Sequence, residues 1–208
     1  MAEDTVNATR RTRKPKARKF YQIGPDFRLG GPPGLKLANE DALKEGRFLL
    51  SMQEPGFPEF PDTPRFVFDK KLGRPPRDIE QYETYWFISD RMKEAIEAVD
   101  AEAFAFVPCD VRFADNTVGP TYWLCDVMRV LDALDESASR LKILDDCGHK
   151  LYSLAGGATL IFKEDVVGSA HIFRMAHLKA EIFCDQQLKD ACNAANLKGV
   201  KFRDAAQL

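Results

Sequence analysis

The sequence lacks a membrane span. None of its apolar runs approaches the ~20 residues that a membrane helix needs. The basic residues near the start are not followed by an apolar stretch, so a secretory leader is not expected and the cytoplasm is the default location. Paired cysteines are also missing. Cys109, Cys125, Cys147, Cys184 and Cys192 are odd in number and form no CxxC, which speaks against a disulfide framework and fits a reducing compartment. Three of them follow apolar runs and read as small buried side chains.

The usual catalytic signatures are equally scarce. His149, His171 and His177 occur without HExxH or HxH, and "CGH" (147–149) has no second ligand pair, so a zinc site is poorly supported. "GSA" (168–170) is not a GxSxG elbow. Cys109 has no assignable histidine partner. The "GGPPG" loop has no GK[ST] and no helix after it. Arg74 and Arg77 in "GRPPRD" could together hold a phosphate or carboxylate, although solvated charges in a turn are the commoner arrangement. No catalytic, cofactor-binding or metal-binding set can be assigned, and this absence favours a binding protein over an enzyme.

What is present begins with uneven charge. Residues 1–19 hold seven Lys or Arg against two acids, a net +5, whereas the remaining chain holds 23 basic and 30 acidic residues, a net −7. Residues 1–18 have almost no large apolar side chains and read as a disordered basic tail. They lack the interleaved aromatics of a single-strand binder. An acidic body attracts basic partners and speeds their encounter.

Residues 19–208 read as one α+β domain with a mixed, mostly antiparallel sheet and a few short amphipathic helices. "KFYQIG" (19–24) and "RFVF" (65–68) are strand candidates. Residues 39–50 fit a short helix capped by Asn39. "EPGFPEFPDTP" (54–64) has too many prolines for a helix or central strand, and Phe57 and Phe60 should anchor it along the body. "ATLIF" (158–162) and "AHIFRM" (170–175) are strand-like.

Three segments share one grammar: "YWFISD" (85–90), "YWLCD" (122–126) and "EIFCD" (181–185). Each is an apolar run ending in Ser or Cys and then Asp. After each, apolar residues recur at i, i+3, i+4, i+7: Met92, Ala95, Ile96 and Val99; Val127, Val130, Leu131 and Leu134; Leu188, Ala191, Cys192 and Ala195. This spacing predicts three strand–helix units, with Ser89, Asp90, Asp126 and Asp185 at helix starts. A short side-chain oxygen there accepts from N–H groups that lack intrahelical partners. Asp132, Asp135 and Glu136 would then form one stripe on the second helix. With Asp145 and Asp146 they make up the most acidic stretch, either the wet face of a helix or a patch for a cationic partner.

The order "FVFDKKLGRPPRD", "YWFISDRMKEAIEAVD", "AFAFVPCDVRF", "YWLCDVMRVLDALDESAS", "HIFRM" and "IFCDQQLKDACNAANLKGVKF" resembles immunity protein family eleven of bacterial polymorphic toxin systems. The resemblance spans about residues 65–204 and is weaker from residue 20. Its closing strand–helix–"LKGVKF" pattern is the most specific part, with Cys184 standing where Ser is usual. It implies a cytoplasmic α+β protein without a cofactor, encoded beside a toxin secreted by a route such as type VI secretion. Such a protein binds the toxin and occludes its active site or substrate channel. Many such toxins are nucleases, so Asp132, Asp135, Glu136, Asp145 and Asp146 become the expected contacts with a basic toxin surface. Two alternatives stay open: a Cys- or metal-dependent hydrolase, and a nucleic-acid-binding regulator acting through the tail.

Overall fold

Apart from its final Ser, "YWFIS" has no polar position to offer solvent, and the structure buries it on both faces. This computed structural model describes residues 17–28, 30–40 and 55–208, and of Asp146 the backbone only. Residues 1–16 of the expected tail, and the expected helix beyond Glu40, lie outside the described residues. Along the chain the strands are β1 (Phe20–Pro25), β2 (Leu35–Leu37), β3 (Arg65–Phe68), β4 (Ile79–Tyr82), β5 (Tyr85–Ser89), β6 (Phe104–Phe113), β7 (Tyr122–Val127), β8 (Val130–Leu131), β9 (Lys142–Asp146), β10 (His149–Ser153), β11 (Ile172–Met175), β12 (Leu178–Asp185) and β13 (Val200–Asp204). Among the described residues the α-helices are α1 (Asp90–Asp100), α2 (Glu164–Val167) and α3 (Gln186–Ala194).

The architecture is α+β, as expected. One sheet has six strands in the order β2-β3-β6-β7-β5-β4, a second has five in the order β13-β1-β12-β11-β8, and β9 and β10 form a separate hairpin. Pairing is antiparallel except for β3 with β6 and β8 with β11.

Period-two alternation distributes side chains into three cores. In β5, Trp86 and Ile88 enter a central core together with Met92 and Ile96 of α1, Leu188 and Cys192 of α3, and Ile23, Ile172 and Ile182 of the five-stranded sheet. Tyr85 and Phe87 of the same strand face the opposite way, onto Phe66, Leu124 and Tyr122. Phe57 and Phe60 cover that side, with the Phe57 ring 4.6 Å from Tyr85, so the Pro-rich segment lies against the body as expected. Behind the five-stranded sheet, Phe20, Phe162, Phe173 and Phe183 cluster edge to face, tilted or stacked at 5.1–6.4 Å. Each such buried ring is worth about 1.5–3 kcal/mol relative to exposure.

Two of the three expected strand–helix units are present. The helix predicted after Asp126 does not form. Val127 ends β7, Val130 and Leu131 make β8, and Leu134 bridges Phe162. The backbone there bonds to its neighbours rather than to itself: Arg174 N–H donates to Arg129 O at 2.8 Å and Ala176 N–H to Leu131 O at 3.0 Å. Spacing of i, i+3, i+4, i+7 also suits a strand that bends, and β-branched Val127 and Val130 favour that alternative. "ATLIF" contributes only isolated bridges at Thr159 and Phe162, not a continuous strand.

Candidate partner interface

The loss of the second helix removes the acidic stripe predicted on it. The same acids are instead assembled by the β9–β10 hairpin. Asp135 stabilises a turn: its Oδ1 accepts from Ser137 N–H at 3.1 Å, Ser137 Oγ–H at 2.7 Å and Ala138 N–H at 3.1 Å. These bonds, the Ser137 hydroxyl first, hold its carboxyl below the ordinary carboxylate range. Glu136 Oε1 accepts from Lys150 Nζ at 2.6 Å and from the Tyr152 hydroxyl. The Lys150 ammonium, then Tyr152, holds the Glu136 carboxyl down as well. The His177 ring meets the Tyr152 ring edge to face at 5.2 Å, and its Nε2 is 3.7 Å from Asp132 Oδ2. Across the hairpin, Lys150 stands opposite Asp145, whose Oδ1 accepts from Gly148 N–H at 2.9 Å. Asp146 is opposite His149 at the mouth of the turn.

Asp132, Asp135, Glu136 and Asp145 thus belong to one continuous surface, linked through His177, Tyr152 and Lys150. The predicted residues converge although the predicted helix does not exist. Both partners of the Glu136–Lys150 pair are well exposed, so the pair orients the hairpin more than it stabilises the fold.

Sequence reading missed the exposed apolar side chains of this hairpin. "RLKIL" (140–144) reads as a strand, and in it Ile143 is 47% exposed and Leu144 51%, with Leu151, opposite Leu144, 40% exposed. Of the ten exposed large apolar side chains among the described residues, three lie on this one hairpin, Leu144 and Leu151 on one face and Ile143 on the other. The available signal was the short spacing between two apolar runs joined by "DCGH", which marks a small outlying hairpin.

A family model described as "Immunity protein family (Imm11)" matches residues 19–207. The chain belongs to this family. Comparison with curated proteins finds no match. The Imm11 match extends beyond residues 65–204, through β1 and the loops after it.

The remaining candidate groups of this Imm11 chain are spent on its architecture. Ser89, not Asp90, caps α1, accepting from Met92 N–H at 3.3 Å while donating to Asp78 Oδ1 at 2.7 Å. Asp90 is the first helical residue and accepts from Trp123 Nε1–H at 2.9 Å. Asp126 caps nothing: buried in β7, it pairs with Arg174 and accepts from Gly56 N–H at 2.7 Å. Asp185 does cap α3, accepting from Leu188 N–H at 3.1 Å. Its other oxygen receives Arg18 Nη2–H at 2.8 Å and lies 2.9 Å from His171 Nδ1. Arg18, read as part of the tail, is thereby held against the body.

Arg74 and Arg77 are not solvated. Both guanidiniums close on buried Glu80, Arg77 Nε at 3.2 Å and Arg74 Nη2 at 2.9 Å. The loop that carries Arg74 needs close backbone approach: a Cβ on Gly34 would stand 2.4 Å from Asp69 O, and one on Gly73 2.4 Å from Pro32 O. Burial pushes the Cys109 thiol up to about 12, so it is not an activated nucleophile. Among the described residues, no three His, Cys, Asp or Glu side chains are placed to hold a metal. No helix of the described residues is long and apolar enough to cross a membrane. A cleft of about 350 Å³ between the sheets is lined by Trp86, Ile182, Thr84, Asp126 and Arg174.

Proposed function

We propose that this Imm11 chain neutralises a cognate secreted toxin by tight stoichiometric binding in the cytoplasm, and that the β9–β10 hairpin surface makes the contact. A nuclease is the toxin class that best suits this surface, because a protein that grips nucleic acid carries a basic face. The observation that carries the reading is membership of the immunity family, together with acids gathered on and beside a hairpin that also exposes Ile143, Leu144 and Leu151. Asp132, Asp135, Glu136, Asp145 and Asp146 supply the charge complement, and the exposed apolar side chains of the hairpin, Ile143 on the face of Asp145 and Leu144 with Leu151 on the other, supply the apolar contact. The bound chain then occludes the toxin's active site or substrate channel.

The test is co-expression with the toxin encoded beside this chain. Cells survive, and the two proteins elute as one complex from a sizing column. Killing at the rate seen without the chain, with no complex on the column, defeats the proposal.

A further inference from the structure

We propose that the open edge of β9 is the partner-docking element, and that it takes an extended segment with alternating cationic and apolar side chains as an added strand. The partner's identity as a toxin rests on the function proposed above; the docking mode does not.

The edge follows from the turn. Cys147 (φ 53°) and Gly148 (φ 84°) both have positive φ in a two-residue loop, the type I′ geometry. In such a hairpin the closing pair, Asp146 and His149, exchanges backbone hydrogen bonds, and the pattern alternates from there. Leu144 and Leu151 are therefore bonded across the hairpin. Ile143 and Asp145 on β9, and Lys150 and Tyr152 on β10, turn their N–H and C=O groups outward. The β10 side agrees with this assignment, because Tyr152 N–H donates to His177 O at 2.9 Å. The outer edge of β10 is thus fastened to the body. β9 pairs with no other strand among the described residues, and Lys142 to Asp145 are all exposed.

Exposed edges are normally guarded by bulges, prolines or central charges. β9 has none of these at its centre, where Ile143 and Leu144 stand. The occupant's chemistry is set by the two faces of β9. Leu144 and Leu151 share one face and call for an apolar side chain. Asp145 shares the other with Lys150, but Lys150 is engaged by Glu136 at 2.6 Å, so Asp145 calls for a cation. Main-chain bonds would give affinity, and this alternation would give register and selectivity.

The probe is an alternating Lys–Val peptide of about eight residues, compared with the same peptide N-methylated at alternate amides and with a Glu–Val peptide. The Lys–Val peptide should slow hydrogen exchange at the Ile143 and Asp145 amides at least about tenfold. The N-methylated peptide should bind at least about tenfold more weakly, since it cannot complete the ladder. Ile143→Pro removes only an outward N–H from the backbone and should abolish binding with the circular dichroism spectrum unchanged, whereas Ile143→Ala should bind within about threefold of the parent. Equal binding of the N-methylated peptide overturns the proposal, as does protection at another strand. Protection that rises with protein concentration without peptide also overturns it and assigns the edge to a second copy of this chain. With the toxin itself, unchanged affinity of Ile143→Pro defeats strand addition and leaves the immunity reading standing. Peptide capture without any toxin complex defeats the immunity reading alone.

Discussion

Ser89 and Asp90 are adjacent, both short and both able to cap a helix, yet only Ser89 does so. The difference lies in backbone position: Ser89 keeps extended φ and ψ, and its oxygen faces back along the helix to Met92 N–H. Its hydroxyl proton is meanwhile used by buried Asp78. Ser89→Ala should cost about 1–2 kcal/mol, through the lost cap and the stranded Asp78 oxygen. Asp90→Ala, which loses one exposed bond to Trp123, should cost under about 1 kcal/mol. Urea unfolding of the two variants measures the contrast; equal losses would show the cap assignment to be wrong. At this scale the sequence was readable to within one residue. Local chemistry limits what Ser and Asp can do at a helix start, but choosing between neighbours requires the dihedral angles.

At the scale of elements, the hairpin turn is an imperfect solution. Type I′ turns favour Asn-Gly because Asn tolerates a left-handed φ better than other side chains do, whereas here Cys147 occupies the first position. Cys147→Asn should raise stability by about 0.5–1 kcal/mol and leave partner binding unchanged, since the turn lies beyond the open edge. A fall in melting temperature would argue against the type I′ assignment. Helix formation shows what could be read and what could not. The units after Ser89 and Cys184 satisfy both periodicity and capping, and both helices form. The segment after Asp126 has the same apolar spacing, but its carboxylate pairs with Arg174 and its backbone with β11, 48 residues downstream in sequence. Long-range pairing overrode a local pattern, and no local signal reports a partner so distant. The candidate site was partly legible: the acidic stretch is visible in the sequence, but the helix expected to carry Asp132, Asp135 and Glu136 does not form, and no local pattern reports that Leu144 and Leu151 stay exposed.

For the molecule as a whole, buried ion pairs couple stability to pH. Burial pushes the Glu80 carboxyl up, but Arg74 and Arg77 outweigh it and hold the group below its ordinary value. Burial likewise pushes the Asp100 carboxyl up, but Arg129 and the His171 N–H outweigh it and hold the group below its ordinary value. A carboxyl depressed in the folded state contributes stability that is fully present above its unfolded pKa and is lost as pH falls through the folded value. Stability should therefore hold from neutrality down to about pH 5 and decline below about pH 4. In Glu80→Gln and Asp100→Asn the advantage of the parent protein should shrink along that acid limb; acid limbs parallel to the parent's would refute the coupling. Association is governed by charge at the same scale. If the acidic hairpin meets a basic toxin, raising salt should slow complex formation much more than it speeds dissociation, which stopped-flow mixing can resolve.

By itself the sequence determined the α+β class, two of the three helix starts, the anchoring of the Pro-rich segment by Phe57 and Phe60, and a resemblance that the family match bears out over residues 19–207. These depend on local periodicity, local hydrogen-bonding chemistry and the order of segments, all of which are written along the chain. Only the tertiary structure decided that Asp126 is a buried ion-pair partner, that Arg74 and Arg77 clamp Glu80, and that Glu136 is joined to Lys150 and Tyr152 of a hairpin with an open strand edge. Each of these depends on which distant backbone groups find one another. That choice is made by the combined burial of the three cores and cannot be read from any single segment.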